Sequence, residues 1–488
     1  MSETKKKLFV CIFIGLLFTI IYIVFNPVVT DSDPYWHVAL GKYIVKHKSL
    51  MTLDEFSWWG NEQGYIETAH SWLFSVILYL FSLLPLSINN IFVIYTGFCC
   101  FILISIFLNV YSKLYIKKTI FYSKNLLYFL LMAFFIAFGI KLVARPLSFS
   151  LILFLLFMLL LQDVLKNPFT KLWILIIPLS CLYANIHGGA WVIIPCFSFL
   201  FFLFSLCPSF EISGFQHINL NKKQCSIKMF LLFIGSIIGG VINPYGFKLF
   251  IYPFITNSSV QKAYTLEFQP ISINIEFFIC SLLMIFIFFV FRSRIKISLS
   301  YVIPVLLWFI VTLRYCRFAL YLNLCLVMLL MECFPKVINT FEINPPNRFF
   351  VKIVNKCACI GLFFVLLFLM FLKSYEKVDP ITESLENEIK SYNLQRMYCD
   401  FNLGGFLIYH DIKSFIDSRG DLFSDEDIEG SYLFFNRFLH DEDIKDYIDY
   451  YNFDSFLLED GSICDYLDNS KDWKKVYEEY IYKLYIKV

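Results

Sequence analysis

The amino-acid sequence predicts an all-α polytopic membrane protein that ends in a small soluble α/β domain. Of its 488 residues, 58% are hydrophobic and only 16% are charged, whereas soluble domains carry about 25% charged residues. Apolar runs of bilayer-spanning length recur along the chain. Residues 374–488 contain 26 acidic and 12 basic residues, so the remainder is correspondingly basic. These observations predict a polytopic membrane domain over residues 1–373 and a soluble domain over 374–488.

The membrane domain begins with Lys5–Lys7 and the apolar run Leu8–Phe25. This pattern resembles a signal peptide, but no small-residue cleavage site follows it, so we predict an uncleaved first span. The short apolar stretch Trp72–Leu84 ends at Pro85, and whether it crosses decides the orientation of every later span. We predict about eleven transmembrane helices, over residues 8–28, 91–111, 125–142, 146–165, 171–186, 189–207, 229–246, 276–292, 299–313, 316–334 and 353–373.

The distribution of basic residues predicts the topology. If Trp72–Leu84 does not cross, five basic loops and Lys5–Lys7 all fall on the cytoplasmic side, as the positive-inside rule requires. If it crosses, all the later loops change sides. We therefore predict a multi-pass protein of the plasma membrane with a cytoplasmic N-terminus and an extracytoplasmic C-terminal domain. Every polar motif of interest then lies on the outer face.

The outer loop over residues 29–70 carries the most informative motif, Asp31–His37. Carboxylates next to a bilayer are costly and usually functional, which makes Asp31 and Asp33 catalytic candidates. The alternative for Asp33 is that it caps the following helix, since Pro follows it. Apolar residues after Asp33 recur at near-helical spacing, which predicts an interfacial helix. We interpret the tryptophans of the loop, Trp58 and Trp59 among them, as interfacial anchors.

Two basic pairs are predicted at outer ends of spans. Lys141 and Arg145 bracket one turn, and Arg314 and Arg317 lie three residues apart on one helical face. Basic residues on this side run against the positive-inside bias and therefore need a reason. Because guanidinium groups bind phosphate oxygens in pairs, we predict phosphate binding at both places. For Lys141 and Arg145, snorkelling to lipid headgroups is the alternative.

Histidines supply the remaining candidates. His187 follows Asn185 in a turn that contains two glycines, so His187 could donate to a phosphate or transfer a proton. A purely structural turn is the alternative. His37 and His70 belong to the outer loop, and we predict that His37, His70, Asn185 and His187 contact the substrate.

The C-terminal domain is expected to be a small α/β unit. We predict a helix over 381–392, strands near 397–399, 406–409 and 415–417, helices within 424–450, a strand over 453–458 and a terminal hairpin near 473–487. Its two cysteines, Cys399 and Cys464, could form a disulfide in an oxidising compartment. The sequence contains no nucleotide-binding glycine motif, metalloprotease motif, serine-hydrolase motif or basic nucleic-acid stripe.

Taken together, these motifs resemble the C-type (GT-C) membrane glycosyltransferases. The closest resemblance is to a group of bacterial multi-pass proteins related to the protein mannosyltransferase and aminoarabinose transferase superfamily. It covers nearly the whole chain and is carried by the following motifs: Asp33-Pro34-Tyr35-Trp36-His37 with Gly41, His70-Ser71-Trp72-Leu73, Arg145-Pro146, Ala184–Gly189, Asn243-Pro244-Tyr245-Gly246, Gly404-Gly405 and Ile416-Asp417-Ser418-Arg419.

The resemblance implies transfer of a sugar from a polyprenyl-phosphate carrier to a glycan, lipid or protein acceptor at the outer face. Asp31 or Asp33 would take the acceptor proton, and the reaction would invert the anomeric centre. As a second possibility, Asp31, Asp33 and His37 would hold a divalent metal such as Mg²⁺ or Mn²⁺. Membrane lipids are expected partners and nucleic acids are not. A lipid-linked glycan polymerase or ligase, or a non-catalytic assembly or transport protein, is the alternative.

Overall fold

The computed structural model describes residues 31–114, 143–206, 215–216, 222–255, 270, 297–340, 381–419, 422–423 and 441–488. They divide into two compact units. The membrane unit takes its described residues from Val93–Phe250 and Leu266–Tyr375. The loop–tail unit takes them from Val28–Phe92, Ile251–Thr265 and Glu376–Val488. The outer loop is predicted as part of the membrane domain, but in the structure it belongs to the same compact unit as the C-terminal segment.

The described part of the membrane unit contains helices and two short strands, Phe215–Gln216 and Ile297–Ser298, which pair in parallel. Its 3-10 segments are Leu172–Leu175 and Cys316–Phe318. Two helices, Ile88–Leu114 and Lys248–Ile255, have residues in both units. The other described helices are Pro146–Lys166, Ile176–Ile186, Gly188–Trp191, Ile193–Leu206, Lys222–Val241, Leu299–Arg314 and Ala319–Thr340.

Four of the described helices are long and apolar enough to cross a membrane: Ile88–Phe107, Pro146–Lys166, Gly188–Leu206 and Lys223–Val241. Shorter apolar helices occupy Trp72–Ser82, Leu172–Ile186, Leu299–Arg314 and Cys316–Leu329. These helices confirm a membrane protein, and all of them except Trp72–Ser82 occur where the sequence predicts spans. The predicted spans 8–28, 125–142, 276–292 and 353–373 lie outside the described residues, so the total of about eleven stays a prediction.

The stretch that decides the predicted topology is a short helix. Trp72–Ser82 has 11 residues, which corresponds to a rise of about 16 Å, whereas the hydrocarbon core of a bilayer is about 30 Å thick. The helix alone is therefore shorter than the hydrocarbon core, and the topology that depends on this stretch stays a prediction.

Glycines allow close helix contacts in the membrane unit. A Cβ at Gly239 would lie 2.2 Å from the Ile177 carbonyl oxygen, and a Cβ at Gly240 would lie 2.1 Å from the Trp191 ring. Small residues at such crossings let helix backbones approach each other inside a membrane. Helix Lys222–Val241 ends five residues before the predicted span 229–246 does. It ends there because Asn243 forms a turn, in which Asn243 Oδ1 accepts the Tyr245 N–H at 2.7 Å.

The loop–tail unit contains a four-stranded sheet and seven described helices. Strand Met397–Cys399 runs parallel to Ser455–Leu458, which pairs antiparallel with Tyr482–Lys487, and Trp473–Glu479 completes the sheet at the edge beyond Tyr482–Lys487. The helices are Asp33–His47, Trp58–Gln63, Trp72–Ser82, Glu383–Ser391, Gly404–Tyr409, Asp441–Tyr451 and Ser462–Asn469.

Most predicted elements of the C-terminal segment are confirmed. Residues 406–409 are an exception, since Gly404–Tyr409 is helical, and residues 415–417 belong to no strand. Short apolar runs fit a buried strand and a buried helix equally well, which explains the first error. Helix Ser462–Asn469 was not predicted, and 424–440 lie outside the described residues. Cys399 and Cys464 are free thiols in the structure rather than a disulfide.

Trp58 lies in the core of the loop–tail unit. Its side chain is buried with Phe415 and Phe453, and its Nε1–H donates to the Met397 carbonyl at 3.0 Å. Trp59 packs against the same core. The interpretation of Trp58 as an interfacial anchor was therefore wrong: its apolar ring and its polar N–H both find partners inside the protein.

Candidate functional site

The predicted acidic motif forms a tight turn at the start of helix Asp33–His47. The Asp33 N–H donates to Asp31 Oδ1 at 3.2 Å, and both carboxylates are partly exposed. The Asp33 carboxylate accepts a side-chain hydrogen bond, from Trp36 Nε1–H to Asp33 Oδ1 at 3.4 Å. Ser32 is the N-cap residue by position and makes no side-chain capping bond. The turn is thus stabilised by Asp31, and the expected capping role of Asp33 was wrong.

Gly405 supports this acidic turn from the C-terminal segment. A Cβ at Gly405 would lie 2.3 Å from the Ser32 carbonyl oxygen, so only glycine permits this approach. Next to it, the Tyr35 ring contacts Phe406 at a centroid distance of 4.4 Å, and the Tyr35 hydroxyl donates to Asn89 Oδ1 at 2.8 Å. The backbone of the acidic turn is therefore held in a defined position.

His37 is buried between two helices. Its Nδ1 lies 2.8 Å from Ser75 Oγ, and its ring stacks on Trp36 at a centroid distance of 3.6 Å. Ser75 Oγ also lies 3.3 Å from the Ser71 carbonyl oxygen of its own helix. A Cβ at Gly41 would lie 2.1 Å from the Ser75 carbonyl oxygen. His37 and Gly41 therefore join helix Asp33–His47 to helix Trp72–Ser82.

The metal hypothesis finds no support in these contacts. Asp31 and Asp33 accept hydrogen bonds within their own turn, and the His37 ring is enclosed by aromatic side chains. Within the described ranges, no group of three or more histidine, cysteine or acidic residues could hold a metal ion. His37 therefore does not complete a ligand set with the two carboxylates, and a divalent metal at Asp31 and Asp33 stays a prediction.

His70 ends the outer loop immediately before helix Trp72–Ser82. Its ring lies 5.0 Å from the Tyr252 ring and its Nδ1 is 3.3 Å from the Thr68 carbonyl oxygen. His70 is partly exposed. It thus belongs to the same unit as the acidic turn, whereas the predicted basic residues belong to the membrane unit.

Sequence reasoning missed a buried group of charges around Arg419, which we call the arginine cluster: Arg419, Asp54, Glu67 and Asp417. Arg419 binds Asp417 through two parallel hydrogen bonds, of 2.8 and 2.6 Å. Its Nη1 donates to Asp54 at 2.8 Å and to Glu67 at 2.9 Å. All four residues are buried, at 0–7% exposure. The cluster joins the outer loop to the C-terminal segment.

Charge pairing keeps the arginine cluster ionised in spite of its burial. Burial by itself would raise the pKa of Asp54, but the Arg419 charge and hydrogen bonds from Arg419, Ser57 and the Phe56 N–H hold that pKa below its usual value. Burial would likewise lower the pKa of Arg419, but its carboxylate partners raise it well above the usual value. Asp417 and Arg419 carry the predicted motif, whereas Asp54 and Glu67 had no recognisable signal.

In the membrane unit, Asn185 joins two segments of backbone. Its Nδ2 donates to the carbonyls of Cys181 and Ile242, each at 2.8 Å. These bonds fix the turn beside His187. The observed contacts of Asn185 are therefore structural, and its predicted contact with substrate is not tested.

His187 takes part in a second unpredicted group, the hydroxyl network of Ser150, Tyr183, His187 and Tyr321. His187 Nδ1 lies 2.7 Å from Ser150 Oγ, and the Tyr183 and Tyr321 hydroxyls lie 2.9 Å apart. Ser150 and both tyrosines are buried. The predicted histidine thus contacts the Ser150 hydroxyl directly and lies one turn after Tyr183 on the same helix.

The basic candidates are dispersed among helix ends of the membrane unit. Arg145 is the N-cap residue of helix Pro146–Lys166. The guanidinium groups of Arg314 and Arg317 lie 5.7 and 5.8 Å from the ring centroids of the residues that follow them. Lys141 lies outside the described residues. Among these candidates, Arg317 lies in the turn directly before the helix that carries Tyr321 of the hydroxyl network.

Solved structures of one archaeal protein resemble this chain over most of its length. The chain is similar to the oligosaccharyltransferase AglB of Archaeoglobus fulgidus in complex with an inhibitory peptide and a dolichol-phosphate, with a TM-score of 0.54 and 11% identity. The match covers 94% of this chain and 70% of that chain. The chain therefore shares the fold of this oligosaccharyltransferase, a GT-C-type glycosyltransferase.

Two further structures of the Archaeoglobus fulgidus oligosaccharyltransferase support this result. The apo form matches with a TM-score of 0.55 at 11% identity and covers 94% of this chain and 70% of that chain. The form tethered to an acceptor peptide with the NVT sequon gives 0.53 at 11% identity, covering 93% and 69%. No protein-family model and no curated protein matches the sequence.

Proposed function

We propose that the chain is a membrane glycosyltransferase that moves a sugar from a polyprenyl-phosphate carrier to an acceptor at the outer face of the plasma membrane. The observation that carries this proposal is a GT-C fold over 94% of the chain. The acidic turn adds to it, since this turn is partly exposed and held rigidly by Gly405. In this proposal the N-terminus is cytoplasmic and the C-terminal domain extracytoplasmic.

In the proposed reaction, Asp31 or Asp33 removes the proton of the acceptor hydroxyl as the acceptor attacks the anomeric carbon. The bond from that carbon to the carrier phosphate breaks in the same displacement. The anomeric centre is inverted, because no glycosyl-enzyme intermediate forms. Both carboxylates remain candidates, since each is partly exposed at the turn.

Negative charge grows on the polyprenyl phosphate as it leaves, and cationic donors stabilise it. Arg145, Arg314, Arg317 and His187 of the membrane unit are suited to this task. Lys141 is a further candidate from the sequence. A guanidinium can bind two phosphate oxygens at once, which makes an arginine the preferred partner.

The test uses the full chain in lipid nanodiscs and measures release of polyprenyl phosphate from a panel of polyprenyl-phosphate sugars. Wild type is compared with Asp31→Asn and Asp33→Asn. Asp472→Asn, at an exposed position far along the chain, is the matched control. We expect one of the first two variants to lose at least a hundredfold in turnover while the control keeps it. Normal turnover in both would disprove an aspartate base in this turn.

A second candidate function follows from the structural neighbours. Two of them are bound to peptides, one of these together with dolichol-phosphate. The chain would then transfer a lipid-linked oligosaccharide to a protein acceptor. An assay with a lipid-linked oligosaccharide and a peptide containing NVT, against the same peptide with Asn replaced by Gln, separates the two functions. Glycan extension without any peptide would instead favour a polymerase or ligase.

A further inference from the structure

The hydroxyl network lies among apolar side chains of the membrane unit. The Tyr321 ring stacks on Trp308 at a centroid distance of 4.7 Å and meets the edge of Phe154 at 5.1 Å. Tyr183 and Tyr321 are at most 1% exposed. Phenylalanine would fill the same space, and burying hydroxyls is costly unless they are bonded. The packing alone therefore does not explain why two tyrosines meet here.

Ser150 and Tyr183 both link this network to His187. Ser150 Oγ donates to the Pro146 carbonyl at 2.9 Å and also lies 2.7 Å from His187 Nδ1. Tyr183 is on the helix that ends beside His187, and the His187 N–H donates to the Tyr183 carbonyl at 2.8 Å. Ser150 thus orients the imidazole, and Tyr183 lies one turn before it on the same helix.

The other end of the network lies beside an arginine. Arg317 belongs to the 3-10 turn Cys316–Phe318, which leads directly into the helix that carries Tyr321. Tyr321 lies about one turn after Arg317, and its hydroxyl is 2.9 Å from that of Tyr183. His187 and Arg317, which are distant in the sequence, therefore lie at the ends of two helices that this pair of buried hydroxyls joins.

We propose that Ser150, Tyr183 and Tyr321 are positioning residues that hold His187 and Arg317 for one anionic ligand, the phosphate of the polyprenyl carrier. This inference rests on the proposed function and adds to it three residues that do not touch the substrate. Rigid support of this kind matters because small displacements of charged donors weaken phosphate binding strongly.

The experiment measures binding separately from turnover. Full-length protein in phosphatidylcholine nanodiscs is titrated with farnesyl phosphate, with farnesol and inorganic phosphate as reference ligands. The variants are Tyr321→Phe, Tyr183→Phe and the double variant. Tyr301→Phe is the matched control, because its buried hydroxyl also has a partner, Lys166 at 3.1 Å, but lies outside the network.

We expect each single network variant to weaken farnesyl phosphate binding about tenfold, with farnesol binding unchanged. Because both substitutions break the same bond, the double variant should bind about as well as either single variant. Tyr301→Phe should bind like wild type. With an active donor, the network variants should raise KM for the donor more than they lower kcat.

Several results would overturn the inference. Unchanged binding in Tyr321→Phe and Tyr183→Phe would show that the hydroxyls position nothing. Equal losses in Tyr301→Phe would reveal a general structural effect. If phosphatidylglycerol nanodiscs or inorganic phosphate blocked the site as well as farnesyl phosphate, the polyprenyl assignment would be wrong. Wild type that binds farnesyl phosphate but turns over no donor would disprove the proposed function and leave the site intact.

Discussion

The two units solve the problem of buried polarity in different ways. The loop–tail unit buries full charges: Arg419 is surrounded by Asp54, Glu67 and Asp417, and its guanidinium lies 5.2 Å from the Phe56 ring centroid. In the membrane unit, the hydroxyl network relies on hydroxyls and an imidazole. The first arrangement depends on charge pairing, the second on neutral hydrogen bonds.

The difference indicates where each unit is vulnerable. Removing one member of a buried ion cluster leaves other charges without a partner, which costs far more than the pair contributes. Removing one hydroxyl from a network leaves a neutral group that often finds another partner. We therefore expect large effects of substitution in the arginine cluster and moderate effects in the membrane unit.

The largest effect is expected for Arg419→Met, which leaves three buried carboxylates without their cation. The free energy of unfolding should fall by about 3–5 kcal/mol, or the protein should fail to fold. The measurement is thermal unfolding of the full chain in nanodiscs. Lys42→Met is the control, because Lys42 pairs with Asp411 at the surface and exposed pairs contribute about 0–1 kcal/mol. Equal losses in the two variants would contradict the burial of the cluster.

The next largest effect is expected for Gly405→Ala. The new methyl group would clash with the Ser32 backbone, and overpacking of this kind costs about 1–3 kcal/mol. Because Ser32 lies between the two catalytic candidates, we expect turnover to be largely lost even at temperatures where the variant remains folded. Gly461→Ala is the control, since nothing lies within 4 Å of its added Cβ. Full turnover in Gly405→Ala would mean that the acidic turn need not be held in this position.

A smaller effect is expected in the membrane unit. Gln162 and Ser300 form a reciprocal pair, in which Gln162 Nε2 donates to the Ser300 carbonyl at 3.0 Å and Ser300 Oγ donates to Gln162 Oε1 at 2.8 Å. Gln162→Leu should cost about 0.6–1.7 kcal/mol, as interhelical hydrogen bonds in membranes do. Thermal unfolding in nanodiscs measures it. A loss as large as that of Arg419→Met would remove the contrast between the units.

The sequence was informative where the signal is local. Apolar runs predicted the described membrane helices, and the spacing after Asp33 predicted helix Asp33–His47. The acidic motif was found because charge next to a bilayer is unusual. The capping role considered for Asp33 was wrong, because the backbone geometry places Ser32 at the N-cap position and Asp33 inside the helix.

Long-range partners could not be predicted. Asp54 and Glu67 contact Arg419 although they precede it in the sequence by 365 and 352 positions, respectively. No periodicity or spacing reports such a pairing. Tyr183 and Tyr321 present a similar problem, because a tyrosine in an apolar run has the pattern of a core aromatic. Their hydroxyl contact becomes visible only when the helices are packed.

Acid should affect the arginine cluster without any substitution. The pKa of Asp54 is lowered in the folded protein, so Asp54 contributes stability above the pKa of an unfolded aspartate, about 3.9. That contribution is lost as the pH falls from this value through the lower pKa of the folded state. At neutral pH the stabilising contribution of Asp54 is fully present, and its loss begins below about pH 4.

Thermal unfolding of wild type and Asp54→Asn between pH 7 and pH 3 tests this expectation. The variant should be less stable at neutral pH, because Arg419 loses one charged partner. Its stability should then fall less steeply with acid, since one of the carboxylates that must take up a proton is absent. Parallel curves for the two proteins would show that Asp54 has the same pKa in the folded and unfolded states, and that the cluster does not hold this carboxylate ionised.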